Sequence, residues 1–196
     1  AVAIVQRDLK RMLACSGIAH VGYMMIAMLT VRPDSVAAVA VYTITYALMN
    51  IGAFGVVSLL SKNQNDPQTL DDVAGLGFRR PFYGLALAVC MFSLSGLPPT
   101  AGFFSKFYVF KTAIESGHVT VALIGILTSI VSVYYYLRVV YYLYMKEPVE
   151  GYTPAAVGGV FANGALAISL IGILVIGLFP TPLFTMAGEA ARLLLQ

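Results

Sequence analysis

The chain has 196 residues, 59% of them hydrophobic and 11% charged, with 12 Lys+Arg against 9 Asp+Glu for a net charge of +3. Soluble domains carry roughly 25% charged residues, so the composition argues against a soluble globular domain. A charge of +3 suits a membrane protein with positive inner loops and does not imply a nucleic-acid partner.

In chain order, Ala1–Val5 is apolar and too short to cross a membrane. It runs directly into Gln6-Arg-Asp-Leu-Lys-Arg11, with no initiator Met and no signal-peptide pattern, so it reads as the end of an earlier helix in a longer protein. Spanning segments follow at about 12–31, 36–60, 82–114, 119–144 and 159–180, within one membrane domain covering 1–196. Met12–Val31 holds only His20 as a group titrating near neutrality, while Val36–Ser61, His118–Leu137 and Gly151–Gly188 carry no formal charge. Each run supplies the roughly 20 apolar residues that cross about 30 Å of hydrocarbon. None shows the regular polar stripe of a soluble core helix. The expected fold is an all-α, polytopic membrane bundle of five helices, one of them discontinuous.

Positive residues sort the loops. Arg7, Lys10 and Arg11, then Lys62, Arg79 and Arg80, then Lys146 with Arg138 nearby, all fall on one side, which the positive-inside rule makes cytoplasmic. The turn at Glu115–His118 has no Lys or Arg, and Arg32 is offset by Asp34. The C-terminus is therefore expected outside, with Thr181–Gln196 as a short surface helix laying Met186 and Leu193–Leu195 on lipid.

Polar side chains line two spans. Ser16, His20 and Tyr23 share a face of the first, and Tyr42, Thr45, Tyr46, Met49 and Asn50 a face of the second. Such groups commonly bond a neighbouring helix. His20 is also a relay candidate, because imidazole titrates near neutrality, and Tyr46 and Asn50 could extend a path from it. Cys15 and Cys90 read as small apolar side chains and form no metal-ligand spacing with the histidines. No phosphate-binding glycine loop, dinucleotide fingerprint or nucleophile–base pair occurs. Gly52 and Gly55 suit close helix packing, and Arg138 is expected to snorkel to the cytoplasmic interface among the surrounding tyrosines.

The third segment carries the most information. Pro81–Ser105 holds no charge, and then comes Lys106, in Ser95-Gly-Leu-Pro-Pro-Thr-Ala-Gly-Phe-Phe-Ser-Lys106. Pro98 and Pro99 have no N–H, so the carbonyls of Leu94 and Ser95 lose their helical donors. Gly96, Thr100 and Gly102 complete the interruption. Freed carbonyls inside a bilayer must find another donor or line a wet cavity. Lys106 lies nine residues before Glu115, or about 14 Å along a helix, near the middle of the hydrocarbon. An ammonium there costs about 2.5–3.5 kcal/mol on insertion scales, which suggests a use. A buried amine that alternates between neutral and charged is what a proton relay requires. Lys111, four residues from Glu115, reads as a snorkelling anchor. No carboxylate falls within a span, so the counter-charge of Lys106 must come from a carbonyl, from water or from outside these residues.

Four stretches together resemble the subunit N family of bacterial NADH:quinone oxidoreductase, respiratory complex I. They are Arg7-Asp-Leu-Lys-Arg-Met-Leu-Ala-Cys-Ser-Gly-Ile-Ala-His20-Val-Gly-Tyr23, Tyr46-Ala-Leu-Met-Asn-Ile-Gly-Ala-Phe54, Leu94-Ser-Gly-Leu-Pro-Pro-Thr-Ala-Gly-Phe-Phe-Ser-Lys106-Phe and Val131-Ser-Val-Tyr-Tyr-Tyr-Leu-Arg138. Cys15 stands where the family usually has Tyr, and Gly17 where it usually has Ser. The resemblance implies about fourteen helices in two inverted five-helix repeats, each with one broken helix. This chain would hold the second repeat and the closing helix. Lys106 would then be the lysine of the half-channel to the outer face, and the family's Glu–Lys pair would lie in the first repeat. It implies proton translocation in a bacterial inner membrane, beside other membrane subunits of the complex. NAD, FMN, iron–sulfur clusters and quinone would be handled by other subunits, with no cofactor in this chain. The related alternative is a Mrp-type cation/proton antiporter subunit. A structural membrane element without a proton path is the other.

Overall fold

A computed structural model describes residues 2–29, 32–60, 69–148 and 159–195. The helices are α1 (Val2–Val5), α2 (Leu9–Ala27), α3 (Pro33–Leu60), α4 (Leu76–Arg79), α5 (Pro81–Ser95), α6 (Ala101–Glu115), α7 (Val119–Tyr144), α8 (Val160–Leu178) and α9 (Thr181–Leu194). Among the described residues the only extended pairing is a single bridge between Asp8 and Thr69.

Local chemistry sets the boundaries. Asp8 caps α2 by accepting from the Arg11 N–H at 2.8 Å, so this helix begins ahead of its apolar run. Proline opens α3 and α5, where a missing N–H removes no helical bond. α5 stops at Gly96, whose left-handed backbone (φ 84°, ψ 35°) any β-carbon would strain. The Leu97 N–H then bonds the Phe92 carbonyl and the Gly96 N–H the Ser93 carbonyl, a Schellman closure. α6 restarts five residues later, after Pro98, Pro99 and an extended Thr100. The helix break expected from the two prolines is thus present, and α5 and α6 are halves of 15 residues each. At 1.5 Å per residue each reaches about 22 Å, too short to cross the hydrocarbon alone.

Among the described residues, three helices are long and apolar enough to cross a membrane: α3, α7 and α8. α5 is apolar but shorter, and α2 carries Lys10 and Arg11 in its first turn. The centre of the bundle is α3, which packs against α2, α5, α6, α8 and α9. Small residues permit the approach. A methyl on Gly52 would meet Cys90 Sγ and, at 2.7 Å, Ser169 Oγ, and one on Gly55 would meet Leu166 at 2.9 Å. Met49, Val56, Leu87, Met91, Leu94, Tyr136 and Leu143 fill the core. The outer faces of α7 and α8 show Leu127, Ile168, Ile171 and Phe161, the last 95% exposed, as suits a hydrocarbon surface.

The charged residues gather at opposite ends. At one, the Leu70 N–H bonds the Arg7 carbonyl, the Gly75 N–H bonds the Tyr142 carbonyl, and Lys146 pairs with Asp71 at 2.6 Å. At the other, Asp34, Tyr108, Glu189 and Arg192 share a small groove. Lys62, in the loop expected to be cytoplasmic, lies outside the described residues.

The guanidinium of Arg138 is held by the end of α1: it donates to the Ile4 carbonyl at 2.8 Å and to the Gln6 carbonyl. These carbonyls have no helical donors of their own, so the guanidinium satisfies them, beside the positive stretch Arg7–Arg11. The tail forms a helix, α9, that packs on the bundle by one side. Its Phe184 stacks on Tyr108 at 3.7 Å and its Ala191 is buried, while Met186, Leu193 and Leu194 remain exposed.

Candidate functional site

Lys106 projects from the second turn of α6 back toward the C-terminus of α5. Its ammonium is buried, with 5% of the residue exposed. It donates to the Leu94 carbonyl at 2.9 Å, the Ser95 carbonyl at 3.0 Å and Ser129 Oγ on α7 at 3.0 Å. All three ammonium hydrogens are therefore placed, and all three partners are uncharged oxygens.

The fit explains why those residue types stand there. The Schellman closure uses the carbonyls of Phe92 and Ser93 and leaves Leu94 and Ser95 as the two without backbone donors. The lysine fills that deficit. A helix C-terminus carries about half a negative charge, so the end of α5 supplies counter-charge where the span has no acid. The freed carbonyls, expected from the prolines to seek another donor or water, have found a protein ammonium. Gly96 is needed twice. Beyond its left-handed backbone, a β-carbon there would stand 3.0 Å from Lys106 Cδ and 3.3 Å from Nζ.

The break is clamped on both sides. Gly102 N–H donates to Ser93 Oγ at 3.1 Å, and a methyl on Gly102 would collide with the Ser93 carbonyl. Thr100 Oγ1 donates to the Leu97 carbonyl at 2.6 Å. Gly177 of α8 backs onto the turn, where a methyl would lie 2.8 Å from Thr100 Cα. The Pro98–Pro99 peptide is cis. Ser105, beside the lysine, meets Thr45 of α3 at 2.7 Å.

A second polar cluster surrounds His20, which is fully buried. Its Nδ1 bonds the Tyr42 hydroxyl at 2.9 Å and its Nε2 the Tyr136 hydroxyl at 3.0 Å, while Tyr46 stacks on the ring at 4.7 Å. Tyr23 stands between the clusters. Its ring centroid is 5.4 Å from Lys106 Nζ and 5.8 Å from the His20 ring, and its buried hydroxyl has no hydrogen-bond partner among the described residues. Lys106, His20 and Tyr46 are thus brought together around Tyr23. Asn50 is not: it donates to the Tyr46 carbonyl at 3.1 Å, one turn back in its own helix.

From Lys106 a groove of about 590 Å³ runs between α6 and α7. Gly96, Lys106 and Ser129 line its floor, Phe107 and Ile130 its walls, and Lys111 and Glu115 its far end. Lys111 is half-exposed and lies 3.8 Å from Glu115. Ser129 and Tyr136 were not identified from the sequence as site residues. A signal for them exists: Ser129, Ser132 and Tyr136 recur at spacings of three and four on an otherwise apolar helix and so share one face.

The transmembrane family described as NADH:quinone oxidoreductase/Mrp antiporter matches residues 1–132. NADH-quinone oxidoreductase subunit N of Trichlorobacter lovleyi is 42% identical over 98% of the chain, which spans only 39% of that relative's length. Among solved structures, a chain of respiratory complex I from Thermus thermophilus with bound aureothin superposes with a TM-score of 0.81 at 36% identity, covering 94% of this chain and 41% of that one. A chain of the Mrp complex from a Dietzia species shares the fold, with a TM-score of 0.82 at 19% identity, covering 96% of this chain and 43% of that one.

Proposed function

The chain belongs to the NADH:quinone oxidoreductase/Mrp antiporter transmembrane family, and from that premise we propose that it carries a proton half-channel of a subunit N of NADH:quinone oxidoreductase. The observation behind this reading is the buried ammonium of Lys106 on the open end of a broken helix, with uncharged oxygens for partners. Such an amine is costly to keep charged and is held without a permanent acid, so it can release and regain a proton. The groove between α6 and α7 offers the way to the face bearing Glu115. His20, with Tyr42 and Tyr136, lies on the far side of Tyr23 and extends the polar line inward.

In this reading the chain is the second inverted repeat, with five crossings counting α5 and α6 as one. It works beside other membrane subunits of complex I in a bacterial inner membrane, with its C-terminus outside. It performs no redox step. NAD, FMN, iron–sulfur clusters and quinone are handled by other subunits, and lipid, water and protons are this chain's own surroundings and cargo.

The test is proton uptake by vesicles carrying the assembled complex with Lys106→Met, measured beside subunit content. Loss of pumping with the subunit present is expected. Normal pumping would remove Lys106 from the path. One observation favours a second reading: every hydrogen of the ammonium is spent on protein, as a purely structural helix cap would require. An antiporter function, which the Mrp likeness raises, would instead show proton movement that depends on added Na⁺ or K⁺.

A further inference from the structure

We propose that Ser129 is the group through which Lys106 gives up and regains its proton on the side of the α6–α7 groove. The inference rests on the reading of Lys106 as a titrating relay and adds the direction of the transfer.

The argument is one of valence. A charged lysine has three hydrogens and no lone pair. Here they point to Leu94 O, Ser95 O and Ser129 Oγ at 2.9, 3.0 and 3.0 Å. A peptide carbonyl accepts a hydrogen bond and has no hydrogen of its own to pass on. Neither carbonyl can therefore relay a proton, and both hydrogens aimed at them serve to hold the break together; the Ser95 hydroxyl is turned to the Phe92 carbonyl. A hydroxyl both accepts and donates. Ser129 is the one partner of the three that can take a proton from nitrogen while surrendering its own.

Its position supplies the next acceptor. Ser129 and Lys106 both line the groove, whose volume of about 590 Å³ has room for water and whose otherwise apolar lining offers it polar partners at Lys106, Ser129, Lys111 and Glu115. The neighbouring Ser132 Oγ bonds the Ser129 backbone carbonyl, at 2.6 Å, and not its hydroxyl. The transfer then balances. One N–H bond of the ammonium breaks as an O–H bond forms on Ser129. The original O–H of Ser129 breaks as one forms on a water in the groove. An ammonium and a water become an amine and a hydronium, the serine is unchanged, and no electrons are exchanged. In the neutral state the amine has gained a lone pair, and the Ser129 hydroxyl can turn to donate to it. The hydrogen bond reverses while the two carbonyl contacts persist, so the break need not open for the proton to leave.

The experiment compares Ser129→Thr, Ser129→Val and Ser129→Ala in the assembled oxidoreductase, with proton uptake by inverted vesicles normalised to subunit content. Thr and Val have the same shape and differ in the hydroxyl. Ser129→Thr should pump within about twofold of the parent. Ser129→Val should pump about a hundredfold more slowly, the low end of what a positioned proton-transfer group contributes. Ser129→Ala should fall between them, because water can enter the space. The solvent deuterium isotope effect on pumping should rise in Ser129→Ala, as proton transfer becomes limiting; a side chain that only packs would not change it. Equal pumping by Ser129→Val and Ser129→Thr, fast or slow, would overturn the proposal. If Ser129→Val does not assemble, an unchanged isotope effect in Ser129→Ala overturns it. Lys106→Met, run beside them, separates the failures. Normal pumping by Lys106→Met removes the relay itself, and this inference with it. Impaired Lys106→Met beside normal Ser129→Val removes only the serine.

Discussion

Lys106→Arg separates a relay from a cap. The lysine does two things at once: it closes Leu94 O and Ser95 O, and it buries a charge. Lys106→Met abolishes both. Leaving two buried carbonyls without donors costs about 1–3 kcal/mol each, so roughly 2–6 kcal/mol together. Against this, deleting a buried ammonium removes a desolvation penalty of several kcal/mol. The two terms oppose each other at similar size, so the subunit should still assemble. Arginine keeps the donors and the charge but stays protonated at any working pH. If capping were the whole role, Lys106→Arg would pump normally and Lys106→Met would not. If titration is the role, both fail, and Lys106→Arg loses about 10²-fold or more in proton transfer. The assay is dye-reported acidification of inverted vesicles, with NADH oxidation and subunit content measured in parallel. Lys106→Arg pumping at the parental rate would refute the relay and leave a structural cap.

Lys111→Gln should leave pumping nearly intact and change stability by no more than about 0.5 kcal/mol, because an exposed i,i+4 pair contributes little; a pumping defect there would mean the wrong lysine has been assigned. Gly102→Ala should destabilise by about 1–3 kcal/mol, as overpacking does, since its methyl meets the Ser93 carbonyl and pries α6 from α5; an unchanged melting temperature of the purified complex would contradict the close crossing. His20→Phe strips the Tyr42 and Tyr136 hydroxyls of their shared partner and should cost about 1–3 kcal/mol for each hydroxyl left unpaired. A variant as heat-resistant as the parent would show that those bonds are not made. Ser116→Cys should react with an impermeant thiol reagent from outside and Glu147→Cys only from inside; the reverse would invert the topology.

The long uncharged runs between clusters of Lys and Arg were legible along the chain as helices, because a bilayer demands such runs and leaves the loops to carry the charge, whereas the short helix Leu76–Arg79 left no such signal. The interruption of the third segment was legible for a similar reason: Pro98 and Pro99 lack a donor wherever they stand, and Gly96 accepts a left-handed turn that other residues resist. Lys106 was legible as a misfit, one charge after a long neutral run. What it touches was not. Its partners at Leu94, Ser95 and Ser129 lie 11 to 23 residues away in sequence, and only the fold-back of α6 on α5 and the arrival of α7 bring them to 3 Å. The same holds for Tyr136, which meets His20 across 116 residues, and for Arg138, which meets the carbonyls of Ile4 and Gln6 across 134 and 132 residues. Hydrophobic length is a property of one segment at a time and can be read along the chain. Hydrogen-bond satisfaction inside a bilayer is settled between segments, so it was the packing of the helices that decided which oxygen receives each buried hydrogen.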